Sequence, residues 1–353
     1  GRGMRGRVVV LGELSGREAA ALIVDGRLED LLIEPPEDAG PGVGAILRAV
    51  ADRPMKGQGA MFVALPGGAT GYLRETGGIA PGAAVIVQVT GHAEPGQAIP
   101  VMRRVLFKGR HAIVTPDAPG RNISRRIRDD EARARLAALA EAGMAGSVFG
   151  LILRSAAADA ASDDVAGEIA SLRALAEEIM RDATGGPELL LDAPSPHEEA
   201  WRDWADPAPD EVLSDPGAIE TQGVPAMVAA LRSAQVRLAG GGHMAIEPTR
   251  ALIAVDVNTG GDTSPAAGLK ANIAAVRELA RQLRLRGLGG QVTVDFAPMP
   301  KKDRAALEQQ MRTAFKGEAA ETVLAGWTPL GNYELQRKRD RLPLSETLKG
   351  LSL

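Results

Sequence analysis

The sequence has no cysteine, only four histidines and 3% aromatic residues. Without cysteine, disulfide bonds and thiolate metal sites are excluded, which fits the cytoplasmic location that we expect. The histidines (His92, His111, His197 and His243) are isolated from one another, so none predicts a metal site. No run approaches the roughly 18 apolar residues of a membrane helix, and no signal peptide is visible. We therefore expect no membrane partner.

An excess of positive charge is also absent, since the net charge is −4. The charge is unevenly distributed, because residues 156–220 hold 17 acidic and 3 basic side chains. This stretch carries −14, which leaves +10 for the remainder of the chain. Charge runs usually form a solvated outer face, and we expect that of the acidic stretch. Binding of a polyanion is to be sought in the basic remainder.

The most informative stretch is residues 250–299, where two β-branched runs flank a segment of helical period. The runs cover residues 251–257 and 291–296, and apolar residues recur every three or four positions between them. A glycine-rich turn at 287–290 ends the helix. This order predicts a βαβ unit whose two strands are parallel neighbours.

Each predicted strand has an aspartate near its C-terminal end, Asp256 in AVDVN and Asp295 in TVDF. Neighbouring strands lie about 4.8 Å apart, so both carboxylates can share one hard cation at the edge where α/β sheets bind ligands. Mg²⁺ suits such a site, because it takes one or two carboxylates and keeps several waters; Mn²⁺ is an alternative. Asn258 points to the same side as Asp256 and could hold a water or a phosphate. The alternative is that each aspartate only caps a strand or begins a turn.

The motifs VDVNTG, ARQLRLRGLGG and VDF-x-x-M in this stretch resemble the catalytic core of the ribonuclease E/G family. Members of this family are bacterial endoribonucleases that cut single-stranded RNA with Mg²⁺. The resemblance implies that Asp256 and Asp295 bind the metal and that Asn258 supports it. It covers about residues 4–348 and is strongest over 252–299. It also implies cleavage that leaves a 3′-hydroxyl and a 5′-phosphate.

The resemblance further implies a mixed α/β fold class with four parts. These are an RNase H-like subdomain (4–36 and 187–238), an inserted OB-type β-barrel (37–104), a 5′-sensor region (105–186) and a DNase I-like catalytic α/β subdomain (239–348). The residues themselves support the barrel, because short β-type runs punctuated by glycines follow one another closely there. Near the N-terminus, the pattern predicts a β-hairpin that turns at Asp25 and Gly26.

Two aromatic residues, Phe62 and Tyr72, lie in the predicted barrel. Surface aromatics of OB-type barrels provide faces on which bases stack, whereas a lone aromatic is more simply explained as part of the core. GAMFVALPGGATGYL resembles the RNA-binding barrel of the family, which implies that both rings contact RNA. The last strand of this barrel lacks the lysines often found in the family, so we expect a weaker grip on RNA.

Two further segments are candidates for binding the 5′ end of RNA. Arg125 and Arg126 follow Ser124, and adjacent arginines can hold a phosphate bidentately, although a solvated basic turn is the alternative. The family carries a similar ISRRI in its 5′-sensing region. VFGLILRS predicts a buried strand that ends at Arg154 and Ser155, where the family has an Arg-Thr pair around the 5′-monophosphate. Serine keeps the hydroxyl donor, so the resemblance implies a preference for 5′-monophosphorylated RNA.

The segment 336–341, QRKRDR, follows the last predicted strand. The family has an arginine here that approaches the scissile phosphate. Arg337 is the nearest match, with Arg339 and Arg341 as alternatives. Longer members carry a Cys-Pro-x-Cys zinc motif and a small dimerisation domain after this point. The sequence reaches Leu353 with neither, so we expect no zinc and a monomer or weak homodimer.

These features predict a Mg²⁺-dependent endoribonuclease of RNA processing or decay that acts on single-stranded RNA. Two alternatives remain open: an RNA-binding protein of the same fold with weak or no cleavage, and an unrelated Mg²⁺ phosphohydrolase acting on nucleotides or phosphoproteins. The set Asp256, Asn258 and Asp295 argues against the first. The basic 5′-type pocket and the barrel argue against the second.

Overall fold

The computed structural model describes residues 6–55, 57 and 59–353, whose strands form four sheets. The strands are β1 (Arg7–Leu14), β2 (Arg17–Val24), β3 (Arg27–Ile33), β4 (Ile46–Met55), β5 (Ala60–Ala64), β6 (Thr70–Leu73), β7 (Ala84–Val89), β8 (Ile99–Met102), β9 (Phe107–Lys108), β10 (Ala112–Thr115), β11 (Arg121–Ile123), β12 (Gly150–Leu153), β13 (Glu188–Leu191), β14 (Glu211–Leu213), β15 (Gln235–Arg237), β16 (His243–Pro248), β17 (Ile253–Asn258), β18 (Gly290–Asp295), β19 (Thr322–Trp327) and β20 (Tyr333–Arg337). The helices are α1 (Asp130–Gly143), α2 (Ser162–Arg181), α3 (Pro196–Asp203), α4 (Ala218–Thr221), α5 (Val224–Ala230), α6 (Ala267–Leu285), α7 (Arg304–Lys316) and α8 (Leu344–Thr347).

The first sheet has the order β14-β1-β2-β3. Its β2–β3 hairpin turns at Asp25 and Gly26, whose φ angles of 50° and 82° are positive, and this confirms the predicted hairpin. Strand β14 joins parallel to β1. One face of the sheet packs on Ile219 and Val228, from α4 and α5, and the other packs on Trp204. The sheet is thus covered on both sides.

The second sheet is a closed five-stranded barrel of order β4-β5-β6-β8-β7, closed by pairing of β4 with β7. Its interior is filled by small and medium apolar side chains, including Met61, Val63, Leu73 and Val87. This confirms the OB-like barrel. Strand β13, whose sequence we assigned to the RNase H-like part, pairs with β4 outside the closed barrel.

The third sheet has the order β11-β12-β10-β9 and packs against α1 and α2. Strand β12 is shorter than the run that predicts it, and begins only at Gly150. A Cβ atom at Gly150 would lie 1.8 Å from the carbonyl oxygen of Ala118, so only glycine allows this approach. Strands β11 and β12 are parallel neighbours, so their C-terminal ends lie at one edge.

The fourth sheet has the order β15-β16-β17-β18-β20-β19. Strand β17, helix α6 and strand β18 form the predicted βαβ unit, with the two strands parallel and adjacent. Helices α6 and α7 cover one face through side chains such as Leu279, Leu283, Leu307 and Met311. The opposite face carries the polar side chains of the alternating strand positions. Among the helices of the described ranges, none has the length and apolarity that a bilayer crossing requires.

Candidate functional site

The two strand-end aspartates meet on the open face of the fourth sheet. Asp256 and Asp295 are direct register partners in the parallel pair β17–β18, and both are exposed. Each follows a buried valine, Val255 or Val294, that packs toward the helices. Side chains alternate along a strand, so both carboxylates point away from the helices. The structure thus places the acids at matching depth on neighbouring strands.

Asn258 lies beside this acid pair, and its Nδ2 donates a hydrogen bond to Oδ2 of Asp256 at 3.2 Å. Its position is fixed by close contact with the turn before β16. A Cβ atom on Gly242 would lie 2.7 Å from the carbonyl oxygen of Asn258, and one on Gly260 would lie 2.6 Å from that of Gly241. Glycines at these positions therefore let the turn and the loop after β17 pack together.

The donor set fits a hydrated Mg²⁺ ion. In the described part of the chain, Asp256 and Asp295 form no ion pair, and neither accepts a hydrogen bond from a backbone N–H, which a capping role would require. No cluster of three or more His, Cys, Asp or Glu side chains is placed to hold a metal within those residues. Two carboxylates with waters completing the shell are a common arrangement for Mg²⁺.

Arg337 is not brought to the acid pair. It pairs with Gly290 at the start of β18, whereas Asp295 ends that strand, a separation of about 17 Å at 3.4 Å per residue. Arg337 is 3% exposed, and its Nη2 lies 3.0 Å from Oε1 of Glu318. The structure therefore places Arg337 in a buried ion pair at the other end of the sheet.

The two alternative arginines are also bound to carboxylates. Arg339 forms an ion pair with Glu94 of the barrel. Arg341 contacts both carboxylate oxygens of Asp30 at 2.6 and 3.1 Å, which ties the C-terminal segment to β3. Burial acts to raise the pKa of Asp30, but Arg341 and neighbouring groups outweigh it and hold this pKa below its ordinary value. The sequence shows these three arginines but not the carboxylates with which they pair.

The RQLRLR run, which carries much of the family resemblance, serves to attach α6 to β3. Arg281 donates to the carbonyl oxygen of Leu28 at 2.8 Å. Arg284 donates to the carbonyl oxygen of Glu29 at 3.0 and 2.8 Å, and to its carboxylate. These guanidinium groups satisfy part-buried carbonyls of β3, so the motif positions the sheet that carries the acids against the first sheet.

Phe62 and Tyr72 lie on the outside of the barrel. They are register partners on β5 and β6, with ring centroids 6.2 Å apart and an interplanar angle of 63°. Phe62 is 38% exposed, whereas Met61 and Val63 on either side of it are buried in the barrel. The interpretation of these aromatics as core residues is therefore wrong, and their surface position is the one that base stacking requires.

The predicted 5′-end residues come together at one edge of the third sheet. Strands β11 and β12 are parallel, and the N–H of Ser124 donates to the carbonyl oxygen of Leu153 at 2.9 Å. Arg125 and Arg126 leave the sheet beside Ser124, and the segment of Arg154 and Ser155 leaves it beside Leu153. Both segments therefore begin at the same edge, with Arg125 and Arg126 exposed.

Acidic residues already contact the cations of this edge. Arg154 Nη1 lies 3.1 Å from Oδ1 of Asp203 and donates to the carbonyl oxygen of Gly109 at 2.7 Å. Arg126 lies 3.5 Å from Asp206. Asp203 and Asp206 belong to the acidic stretch, so the expectation of a purely solvated face is wrong for them. These two aspartates are far in the sequence from Arg154 and Arg126, so no local sequence pattern predicts the ion pairs.

Three cations surround Asp203. Lys108, Arg154 and Arg202 all contact its carboxylate, at 3.7, 3.1 and 3.1 Å. Burial acts to raise the pKa of Asp203, but Lys108, Arg202 and Arg154 together lower it below its ordinary value. The edge is therefore a cluster of positive charge with one carboxylate at its centre.

Comparison with known proteins is consistent with this architecture. The model of the ribonuclease E/G family matches residues 107–222 and 216–340. Ribonuclease E of a Synechocystis species is 29% identical over 318 residues, covering 78% of this chain and 47% of the relative. Ribonuclease E of a Nostoc species is 30% identical over 304 residues, covering 74% and 44%. Ribonuclease G of Salmonella typhimurium is 27% identical over 290 residues, covering 69% and 57%. The chain thus spans about half the length of these relatives.

Proposed function

Because the chain belongs to the ribonuclease E/G family, we propose that it is a Mg²⁺-dependent endoribonuclease that cleaves single-stranded RNA in RNA processing or decay. The observation that carries this proposal is the register pairing of Asp256 with Asp295, two exposed carboxylates without a cation partner in the described ranges. A pair of like charges on adjacent strands costs free energy unless a cation offsets it. Asn258, hydrogen-bonded to Asp256, completes the site.

In the proposed reaction, a water oxygen forms a bond to phosphorus and the bond from phosphorus to the 3′-oxygen breaks. The leaving 3′-oxygen takes a proton, so the products are a 3′-hydroxyl and a 5′-phosphate. When bound, Mg²⁺ supplies Lewis-acid stabilisation of charge on the phosphate and a water of lowered pKa. Asp256 and Asp295 would hold the ion, and Asn258 would orient the attacking water or one carboxylate.

The rest of the chain would bind the RNA around this point. Phe62 and Tyr72 would stack on bases, which does not require a particular sequence. Arg154 and Ser155, assisted by Arg125 and Arg126, would bind a 5′-monophosphate. This group carries roughly −1.5 to −2 charge at neutral pH, so it can compete with a carboxylate for a guanidinium, whereas a 5′-hydroxyl cannot. We therefore propose a preference for 5′-monophosphorylated RNA.

The test is incubation of an internally labelled, 5′-monophosphorylated single-stranded RNA with the protein, in Mg²⁺ and in EDTA. We expect cleavage only in Mg²⁺, products with 3′-hydroxyl ends, and faster cleavage than of the same RNA with a 5′-hydroxyl. A duplex of the same sequence serves as the control and should stay intact. Cleavage that proceeds equally in EDTA would contradict the metal site.

A second candidate is an RNA-binding protein of the same fold with weak or no cleavage. The observation that favours it is that Arg337, Arg339 and Arg341 are all paired with carboxylates, so none of them is free for a scissile phosphate. RNA binding without cleavage in Mg²⁺ or Mn²⁺ would support this candidate over the nuclease.

A further inference from the structure

The open face of the fourth sheet carries a second polar row next to the acid pair. In the antiparallel pairs β15–β16 and β16–β17, Arg237 is the register partner of His243, and His243 is the partner of Asn258. The adjacent row across the same three strands consists of Val236, Met244 and Val257, all buried against the helices.

The row before that one ends in the acids: Gln235 pairs with Ala245, Ala245 with Asp256, and Asp256 with Asp295. Because side chains alternate between the faces of a sheet, the rows on either side of the buried one share the face opposite the helices. Arg237, His243 and Asn258 therefore lie on the same face as the acid pair.

The spacing of the strands puts this row within reach of one RNA backbone. Arg237 is two strands away from Asn258, which is about 10 Å at 4.8 Å per strand. Asp256 lies two residues along its strand from Asn258, about 12 Å from Arg237, so the arginine is placed to bind a phosphate that neighbours the one at the acid pair. Two carboxylates repel a phosphate, so a cation on the same face offsets the repulsion when RNA approaches.

Arg237 is exposed and available, unlike the C-terminal arginines. Within the residues described by the structure, it makes no ion pair or side-chain hydrogen bond. A groove at this hairpin is lined by Gln235, Val236, Arg237, Leu238, Gly241, Gly242 and His243.

The hairpin that presents the row is held by glycines. Gly240 and Gly241 have φ angles of 91° and 96°, which side chains rarely adopt. Gly242 contacts the backbone of Asn258 too closely to accept a Cβ atom. Backbone packing therefore fixes the register of His243 with Asn258. The pairing of β15 with β16 then places Arg237 beside His243.

We propose that Arg237 is a catalytic residue that binds an RNA phosphate next to the acid pair, with His243 as a second polar contact to the same RNA strand. The planar guanidinium can donate two parallel hydrogen bonds to a phosphate. The ligand class is a single-stranded RNA phosphodiester. This inference rests on the proposed nuclease function and supplies the cation that Arg337, in its buried ion pair, does not.

The experiment compares Arg237→Ala with Arg277→Ala, using the full chain and the internally labelled single-stranded RNA in Mg²⁺. Arg277 is an exposed arginine of α6, on the opposite side of the same sheet, so its loss changes net charge equally. We expect Arg237→Ala to lower kcat/KM on the order of tenfold to hundredfold, the loss typical of a removed charge-assisted hydrogen bond. Arg277→Ala should stay within about twofold of wild type, as expected for a solvated charge.

Salt dependence separates a phosphate contact from a structural role. Each lost contact to single-stranded nucleic acid reduces the slope of log affinity against log salt by about 0.7. The slope of log kcat/KM should therefore flatten in Arg237→Ala and stay unchanged in Arg277→Ala. Arg237→Lys should recover part of the rate and the salt slope, because it keeps the charge but not the planar fork.

The outcomes distinguish this inference from the function on which it rests. Wild-type protein that cuts no RNA would overturn both. Active wild-type protein with Arg237→Ala and Arg277→Ala equal in rate and salt slope would overturn the assignment of Arg237 alone. If Arg237→Ala does not fold, as judged by thermal unfolding, Arg237→Gln decides, because it removes the charge and keeps a polar side chain of similar length. A Gln variant with the rate and the salt slope of wild type would then overturn the assignment of Arg237.

Discussion

Two sheet edges of this molecule each lie at the C-terminal ends of a pair of adjacent parallel strands, but their charged side chains have different partners. In the fourth sheet, parallel strands β17 and β18 carry Asp256 and Asp295 near their C-terminal ends, where both face solvent and, among the described residues, neither pairs with a cation. In the third sheet, parallel strands β11 and β12 lead into Arg126 and Arg154, each already close to a carboxylate. Under the proposed function, the acids would be offset by a cation from outside the chain. A ligand of the arginines would instead have to compete with the carboxylates that they already contact.

This difference has an energetic meaning. Exposed ion pairs contribute roughly 0–1 kcal/mol, so a ligand with greater charge can replace the carboxylate at little cost. Asp203, however, lies among three cations and is only 25% exposed. Under the proposed function, the edge that carries Arg126 and Arg154 would select for charge, because only a dianionic phosphate would match what Asp203 already supplies. The edge that carries Asp256 and Asp295 would select for a divalent cation.

The largest effect on the rate of RNA cleavage should come from substitution of Asp256 or Asp295. Asp295→Asn should lower the rate of RNA cleavage in Mg²⁺ by on the order of a thousandfold, because a metal ligand supports several kcal/mol of charge stabilisation. Thermal unfolding should stay within about 1 °C of wild type or rise slightly, since one of two like charges is removed. Glu247→Gln, on β16 of the same sheet, is the matched control and should retain activity. A slow but stable Asp295→Asn with unchanged Mg²⁺ dependence would contradict metal binding.

The ion pair between Asp30 of β3 and Arg341 of the C-terminal segment should have the next largest effect, on stability. Asp30→Asn leaves Arg341 without its carboxylate, and breaking a buried pair from one side typically costs about 3–5 kcal/mol. Chemical unfolding should show this loss in the free energy of unfolding. Arg27→Ala, which removes the exposed ion pair to Glu278, should cost less than about 1 kcal/mol. Equal effects in the two variants would contradict the special position of Asp30.

Much of this comparison could be predicted from the sequence, because it depends on local patterns. The hydrophobic periodicity over β17, α6 and β18 predicts the βαβ unit. Asp256 and Asp295 lie at similar positions near the C-terminal ends of the two strands, which predicts that their side chains are close together. The alternation of apolar residues alone does not predict the surface position of Phe62, since it does not reveal which face of a strand lines a barrel. The family resemblance implies that position, and closure of β4 on β7 explains it.

The partners of the arginines were beyond the reach of the sequence for a different reason. Arg341 binds Asp30 over a separation of 311 residues, and Arg154 binds Asp203 over 49. Pairing at such distances depends on how sheets pack, not on local spacing. The role of Arg337 is expected from the family resemblance, and the solvated acidic face from the charge pattern, whereas in the structure Arg337 pairs with Glu318 and Asp203 pairs with Arg154. The subdomain boundaries remain a prediction.

At the edge of the third sheet, removal of Arg154 should affect cleavage of 5′-monophosphorylated RNA more than cleavage of 5′-hydroxyl RNA. Arg154→Ala should remove a preference for 5′-monophosphorylated over 5′-hydroxyl RNA of about tenfold, the value of one charge-assisted hydrogen bond. The rate on 5′-hydroxyl RNA should change little, because Asp256 and Asp295 are untouched. Paired rates on the two RNAs measure this. Arg173→Ala, in an ion pair on α2, is the control and should keep the preference. Loss of both rates equally would indicate a structural role for Arg154.

The smallest effect concerns the carboxylate that Arg154 contacts. Asp203→Asn should strengthen the 5′-monophosphate preference by a few-fold, because the ligand no longer competes with a charge for Arg154. The pKa of Asp203 is lowered in the folded protein by Lys108, Arg202 and Arg154, against the opposing effect of burial. A lowered folded-state pKa adds stability that is fully present above the unfolded value of about 3.9 and is lost as pH falls through the folded value.

It follows that Asp203 stays ionised from pH 7 to 8, where the 5′-phosphate is mostly dianionic because its second pKa is about 6, so the competition between the two groups does not vary there. The difference in preference between wild type and Asp203→Asn should therefore be constant across this range. Below pH 4 the wild type should lose more stability than the variant, because only the wild type must protonate Asp203. The measurements are paired cleavage rates between pH 7 and 8, and chemical unfolding from pH 3 to 6. A difference in preference that grows between pH 7 and 8 would show that another group, and not Asp203, controls access to Arg154.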